Sequence, residues 1–296
     1  MHKKELVLSS IHLERKVKVS LILPPHYALS FRHYSVLYLN DGQDLLSLRM
    51  EETLHQLYAA HEIPPFILVG IHANEQRIQE YGTAKIPDYA GRGSKAGKHT
   101  HFVLTELKPY IEQHYRAKSS PEYNYFALFW GGLSAIDIVW YHPHVFPKLG
   151  CFLVPLVAFK SPDQGYNEAT DRIMGARADP RNDQKPALEF WLHTGTEDEV
   201  SDRNNNGIID SIDDTLGLIE ELEKKGYRRD GEIVYREVEG GRHDQTTWGK
   251  VMPEFKWILR KKKAKQTQLV SSPCAIYFSL SLSLSLSIMG SPSPEN

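Results

Sequence analysis

The stretch Gly240-Gly241-Arg242-His243-Asp244 puts a histidine on a glycine-rich turn just after an apolar run, Ile233 to Val238. An imidazole in that place suits general-base work above the end of a strand, although a lone histidine on a turn reads equally well as a surface residue. A second run, Leu188 to Leu192, leads into His193-Thr194-Gly195-Thr196-Glu197-Asp198. Asp198 has the offset from the glycine at which a carboxylate would orient the imidazole, and Glu197 is the fallback. An acid that precedes its histidine in the chain suits a triad built on an α/β sheet. Such a triad draws its nucleophile from an earlier strand–turn–helix of pattern Gly-x-Ser-x-Gly. At that place the chain reads Tyr125-Phe126-Ala127-Leu128-Phe129-Trp130-Gly131-Gly132-Leu133-Ser134. The strand, the double glycine and the helix are there, but Phe129 stands where the serine is expected. Ser134 lies a turn or two into the helix and reads as a packing residue.

A different chemistry is written in Asp202-Arg203-Asn204-Asn205-Asn206-Gly207-Ile208-Ile209-Asp210-Ser211-Ile212-Asp213. Oxygen side chains at positions 1, 3, 5, 9 and 12, with glycine at 6, match the calcium loop of an EF-hand. Asp202, Asn204, Asn206, Asp210 and Asp213 would supply side-chain oxygens, and Ile208 its carbonyl. Arg203 is expected to face solvent. Aspartate at position 12 has a shorter reach than the usual glutamate, and the bland alternative is a metal-free turn capping the next helix. The number of protein oxygens favours calcium over magnesium, in a structural role that braces the nearby acid. No organic cofactor is implied.

The elements that must position these residues are legible as apolar runs. Val17 to Leu23, Val36 to Leu39, Phe66 to Ile71, Tyr125 to Phe129, Lys148 to Val154, Leu188 to Leu192 and Ile233 to Val238 read as strands. Met50 to Ala60, Phe102 to Tyr115 (kinked at Pro109), Gly131 to Trp140, Asp213 to Lys225 and Thr247 to Leu259 read as helices. Strands alternating with helices imply an α/β protein with a mostly parallel central sheet and helices on both faces, its chemistry on loops at the carboxyl ends of the strands.

With those motifs in order, the chain resembles the esterase family that includes esterase D, enterochelin esterases, feruloyl esterases and mycolyltransferases. The matching residues are Leu37-Tyr38-Leu39-Asn40-Asp41-Gly42-Gln43, Arg77 with Glu80-Tyr81, Glu106 to Glu112, Gly131-Gly132-Leu133-Ser134-Ala135, Gly195 to Asp198 and Gly240 to His243. They span roughly residues 5 to 260. The resemblance implies an α/β-hydrolase fold, a small-molecule ester substrate and a Ser-Asp-His acyl-enzyme mechanism. It makes His243 the base and Asp198 the acid, with the backbone N–H groups of Gln43 and Trp130 as oxyanion donors. Two patches depart from the family: the shortened elbow at Ala127 to Gly132, and Leu153 to Phe159, where family members carry Ser-Gly-Ser and aromatics. Damage to the coding sequence and natural loss of catalysis both account for them.

Across 296 residues the net charge is −2, with 41% hydrophobic and 24% charged residues. That balance offers no field of one sign for nucleic acid or a membrane surface. Two cysteines make no disulfide framework, and the N-terminus lacks an apolar signal segment, so a cytoplasmic protein is expected. The hydrolase-like domain is expected over residues 1–262. Residues 263–296 contain a Ser-Leu alternation too short to span a bilayer and are expected to be a disordered tail.

Overall fold

The computed structural model describes residues 1–85, 88–118, 123–128, 130–152, 164–165 and 185–259. The expectations for Phe129, for the patch from Leu153 to Phe159 and for the tail fall outside these residues. One compact unit covers Met1–Arg260.

The described strands are β1 (His2–Ser10), β2 (Arg15–Leu23), β3 (Ser35–Asn40), β4 (Phe66–Ile71), β5 (Tyr123–Leu128), β6 (Lys148–Phe152), β7 (Glu189–Glu197) and β8 (Ile233–Arg242). They form one sheet in the order β1-β2-β4-β3-β5-β6-β7-β8. From β4 to β8 every neighbour is parallel, and β1 and β2 pair antiparallel at one side.

Residue alternation explains the layering. In β3, Val36 and Tyr38 join one apolar core while Leu37 and Leu39 join the other. In β4, Ile67, Val69 and Ile71 oppose Phe66 and Leu68 in the same way. A strand buried on both faces reads as an unbroken apolar run, the mark of a parallel sheet covered twice. The first face is covered by Phe102, Val103, Leu107 and Ile111, by Ala135, Ile138 and Val139 of helix α5 (Trp130–Tyr141), and by Leu218, Ile219 and Leu222 of α6 (Asp210–Lys224). The second is covered by Met50, Leu54 and Leu57 of α1 (Met50–Ala59) and by Trp248, Val251, Met252 and Leu259. The last four lie on α7 (Gln245–Val251), a 3-10 turn and α8 (Lys256–Leu259), so the helix expected over Thr247 to Leu259 is three pieces, with Pro253 in the middle one.

Between α2 (Arg77–Glu80) and β5 the chain is helical from Ala96 to His114, but unevenly. An α-turn, α3 (Ala96–His101), passes into a π-turn over Phe102–Leu107 and back into α4 (Lys108–His114). Pro109 has no N–H for the ladder, and the wider turn just before it absorbs the misfit expected there as a kink. Among the described residues no helix is long and apolar enough to cross a membrane.

Candidate active site

Loops that leave the carboxyl ends of β3, β4, β5, β7 and β8 share one edge of the sheet, the edge where parallel α/β sheets bind ligands. After Asn40, Asp41 turns the chain with φ 61 and ψ 46, a left-handed conformation that asparagine and aspartate tolerate best among non-glycine residues. Its carboxylate is fully buried. It accepts bonds from Arg77 Nε at 2.7 Å and Nη2 at 2.8 Å, and from Gln43 Nε2 at 2.9 Å. Its N–H donates to the Tyr81 hydroxyl at 3.2 Å. Arg77 and Tyr81, which the sequence offers as landmarks without a role, thus clamp this turn. The turn opens a short 3-10 helix, Gly42–Leu45. Gln43 lies in its first turn, where backbone N–H groups lack an acceptor inside the helix.

Asn40 joins that turn to the elbow. Its Oδ1 accepts from the Tyr125 hydroxyl at 2.9 Å and faces His99 Nε2 at 3.3 Å, and its Nδ2 donates to the Gly131 carbonyl at 3.0 Å. Trp130 is the first residue of α5, so its N–H also belongs to a first helical turn. Ser134 is buried and its hydroxyl is engaged twice by one residue: it accepts from the Gly82 N–H at 2.8 Å and donates to the Gly82 carbonyl at 3.2 Å. It is a packing serine, as its place in the helix implies.

At the other end of the site, β7 and β8 run on beyond their apolar cores. Their parallel register reaches Gly195 opposite Val238, shifts, and resumes at Glu197 opposite Arg242. The glycines make this possible: a Cβ on Gly195 would stand 2.3 Å from the Gly241 carbonyl oxygen, so only glycine lets the two backbones touch. Glu197, the fallback acid, is exposed and pairs with Arg242 at 2.8 Å. Asp198 Oδ2 accepts from the Gly195 N–H at 2.7 Å, and Oδ1 is buried with no hydrogen bond. Burial pushes the Asp198 carboxyl up to about 6, against the Gly195 bond and with help from Glu199 and Asp244. His243 sits edge-on to the Trp248 ring at 4.9 Å. Burial, then the charge of Arg77, lower its pKa, while Asp244 opposes them. Asp198 and His243 therefore share the influence of Asp244 on adjacent loops, but among the described residues no hydrogen bond joins them.

The sequence offered no role for His193. It faces the same side of β7 as Trp191 and is 1% exposed, between the rings of Phe152 at 4.8 Å and Trp191 at 6.0 Å. Neither ring nitrogen has a hydrogen bond, and burial lowers its pKa to about 4, so it is a neutral core residue. Asp44, beside Gln43, is held above the usual carboxylate range by burial and the charge of Asp41. A charged pair so close to a candidate oxyanion donor had no separate signal in the sequence.

The family model described as "Putative esterase" matches residues 10–257, most of the chain. The chain belongs to this esterase family. Hydrolysis of carboxylic esters is the chemistry of that family. Among solved structures, this chain resembles a ferulic acid esterase at 18% identity and TM-score 0.66, covering 88% of this chain and 97% of the other. It resembles the BES protein from Bacillus cereus at 17% and 0.65, covering 88% and 97%. It also resembles the enterobactin esterase FES from Shigella flexneri at 16% and 0.63, covering 87% and 59%. At such identities the likeness establishes the α/β-hydrolase fold. The uncharacterized protein YbbA from Bacillus subtilis (strain 168) is 24% identical over 146 residues, which span 48% of this chain and 58% of that protein's length.

The loop from Asp202 to Asp213 follows the turn that carries Asp198. Gly207 has φ 84, the left-handed reversal its place in the loop requires. The Asp202 carboxylate accepts from the N–H of Asn206 at 3.1 Å and of Gly207 at 2.9 Å. Asn204 Oδ1 accepts from Asn206, and Asn206 Oδ1 from Ile208. Asp213 lies across from them, within 3.5 Å of the Asn204 amide and 3.4 Å of the Asn206 amide. The side chains at positions 1, 3, 5 and 12 are thus held together by hydrogen bonds within the loop. Among the described residues, however, no three His, Cys, Asp or Glu side chains gather as a metal site. The Asn204 and Asn206 amides turn their nitrogens to Asp213, and Asp210 is turned elsewhere. It caps the Arg203 N–H at 2.9 Å and lies 3.4 Å from the Arg203 guanidinium. Arg203 itself, expected to point to solvent, is only 13% exposed because Asp210, Asp213 and Asp214 draw it inward.

Proposed function

We propose that this chain is a carboxylic ester hydrolase by descent that retains the supports of an acyl-enzyme site and lacks its nucleophile. The observation that carries the reading is the shared edge: the Gln43 turn, the opening of α5 at Trp130, Asp198 and His243 all follow carboxyl ends of neighbouring parallel strands. In the full mechanism a serine at position 129 would attack the ester carbonyl after giving its proton to His243. Asp198 would hold the imidazole, and the N–H groups of Gln43 and Trp130 would stabilise the oxyanion. The imidazole would then protonate the leaving alcohol, and water would release the acid. Phe129 supplies no oxygen for the first step. The substrate on this reading is a small-molecule ester, with no nucleic acid involved.

The test is turnover of a p-nitrophenyl ester by the chain as it stands, beside a version whose residues 127–132 are rebuilt as Gly-x-Ser-x-Gly-Gly. Activity only in the rebuilt version supports the reading. Robust turnover by the original chain, or none by a folded rebuilt chain, overturns it. A clean reread of the coding DNA at Phe129 and at Leu153 to Phe159 would exclude sequence damage as the source of the loss.

The calcium-loop spacing of Asp202, Asn204, Asn206, Ile208, Asp210 and Asp213 motivates a second reading: a calcium-stabilised, non-catalytic binding protein that uses the old cleft. Calcium bound there would neutralise charge and brace the turn that carries Asp198, without entering any chemical step. The same ester assay separates the two readings.

A further inference from the structure

The connection from β2 to β3 holds two apolar side chains out into solvent: Leu29 is 84% exposed and Phe31 95%. The loop that carries them is tied down. After Pro24-Pro25 the chain turns through His26, at φ 58, into a single 3-10 turn, Tyr27–Leu29. The Leu29 N–H donates to the His26 carbonyl at 3.0 Å, and the Arg32 N–H to the Ser30 hydroxyl at 3.1 Å. The base of the loop is fastened to the segment that leads towards β5, where Tyr34 and Ala117 form a parallel bridge. The Arg116 N–H donates to the Tyr27 hydroxyl at 2.9 Å. Its guanidinium bonds the Tyr27 carbonyl and lies over the Tyr27 ring at 3.9 Å. The two segments, Pro24 to Ser35 and His114 to Lys118, carry Arg32, Arg116 and Lys118 and contain no carboxylate. Carboxylates elsewhere along this edge are taken by lysines, Glu62 by Lys256 and Glu189 by Lys148.

We propose that Leu29 and Phe31 form a wedge that enters the interfacial layer of an anionic lipid bilayer, with Arg32, Arg116 and Lys118 at the level of the headgroups. Leucine and aromatic side chains beside arginine and lysine are the composition by which proteins lie on such surfaces. The shape favours lipid over protein. Two protruding side chains are far less than the roughly 800 Å² per partner that a stable protein interface buries, whereas fluid lipid closes around a wedge. A second copy is disfavoured by charge, because a two-fold contact joins identical patches and would set these cations face to face. The whole-chain charge of −2 gives no sign of the patch, since the cations are local to one end of the sheet. That end, at the starts of β3 and β5, is opposite the edge that carries Gln43, Asp198 and His243. A chain seated on lipid by this tip therefore holds its candidate active site towards water and meets its ester from the aqueous side.

Co-sedimentation of the full chain with vesicles tests the wedge. Wild type is expected to bind vesicles of equal parts phosphatidylcholine and phosphatidylglycerol, and to bind phosphatidylcholine alone about tenfold more weakly. Leu29→Ser and Phe31→Ser are each expected to lose about tenfold in binding to the mixed vesicles while melting with wild type, since neither side chain is buried. Arg32→Glu should weaken binding by a similar factor. Ile11→Ser removes an apolar side chain that is 85% exposed at the other end of the β1–β2 hairpin, and should bind as wild type does. Absence of wild-type binding to the mixed vesicles overturns the proposal, as does binding that survives both Leu29→Ser and Phe31→Ser. A wild-type dimer that Phe31→Ser dissolves, with no binding to vesicles, assigns the tip to a second copy and overturns it too.

Discussion

Asp198 is a carboxylate without the partner its position calls for, and that has a sign that can be measured. Its folded pKa is raised to about 6 by burial. A raised acid favours the folded state fully below its unfolded pKa, and that advantage is lost as pH rises through about 6. A rise of that size would correspond to about 2.7 kcal/mol, which solvent screening at this half-exposed group reduces to about 1 kcal/mol. Asp198→Asn, which can still accept the Gly195 N–H, is therefore expected to melt above wild type at pH 8 and level with it near pH 4. Thermal melts at the two pH values decide this, and a variant less stable at pH 8 would show that Asp198 has a cationic partner. Arg77 is the opposite case. Removing it leaves the buried Asp41 charge with only the Gln43 amide and the Tyr81 contact nearby. Breaking such a pair costs about 3 kcal/mol or more, a drop of about 6 to 12 °C in Tm. Arg77→Ala is expected to show that drop and Arg77→Lys a smaller one; equal melting of all three would mean the clamp is not needed for the turn.

Elements were legible where burial imposed a period and obscure where it did not. Phe66 to Ile71 came out of the sequence with its observed bounds because every residue of β4 is buried. The strand β1 was not seen: His2, Lys3, Lys4 and Glu5 are all exposed on the sheet edge, so no apolar pattern marks them. The strands β7 and β8 ran longer than their apolar cores because Gly195 and Gly241 let backbones meet where side chains give no signal. The same limit applies to the site. The identities of Asp198 and His243 follow from motif order, but whether their side chains bond depends on a bulge and on Asp244, which spacing does not encode. Arg203 was misplaced for a related reason: a loop template assigns position 2 to solvent, and only the fold brings Asp214 beneath it. The loop itself makes a clear prediction. At a hundredfold excess of calcium over its dissociation constant, a site present only in the folded chain adds about 2.7 kcal/mol. Melting should rise with calcium over chelator in wild type and not in Asp202→Ala; identical melts of wild type in both would leave the loop as a helix cap alone.

At the scale of the whole molecule, the family model and the sheet order agree on an esterase architecture over nearly all the described chain. The expectation that follows is a folded protein with little or no ester turnover. His243 without a nucleophile can at best activate water, leaving the fraction of catalysis that binding and oxyanion donors supply. An organophosphonate probe should leave the chain unlabelled and label the version with the rebuilt elbow; burst kinetics or labelling of the original chain would place a working nucleophile where none is written.

The bonds of Asn40, Asp41 and Ser134 described above run to Gly131, Arg77, Gln43, Tyr81, Gly82, Tyr125 and His99. Selection for a folded chain therefore acts on these residues whether or not the chain turns over an ester. A lineage that ceased to need the reaction would still purge changes at Asp41 or Asn40. Its descendants would keep an intact catalytic frame around an erased centre, from which activity could return by a few codon changes rather than by a new fold.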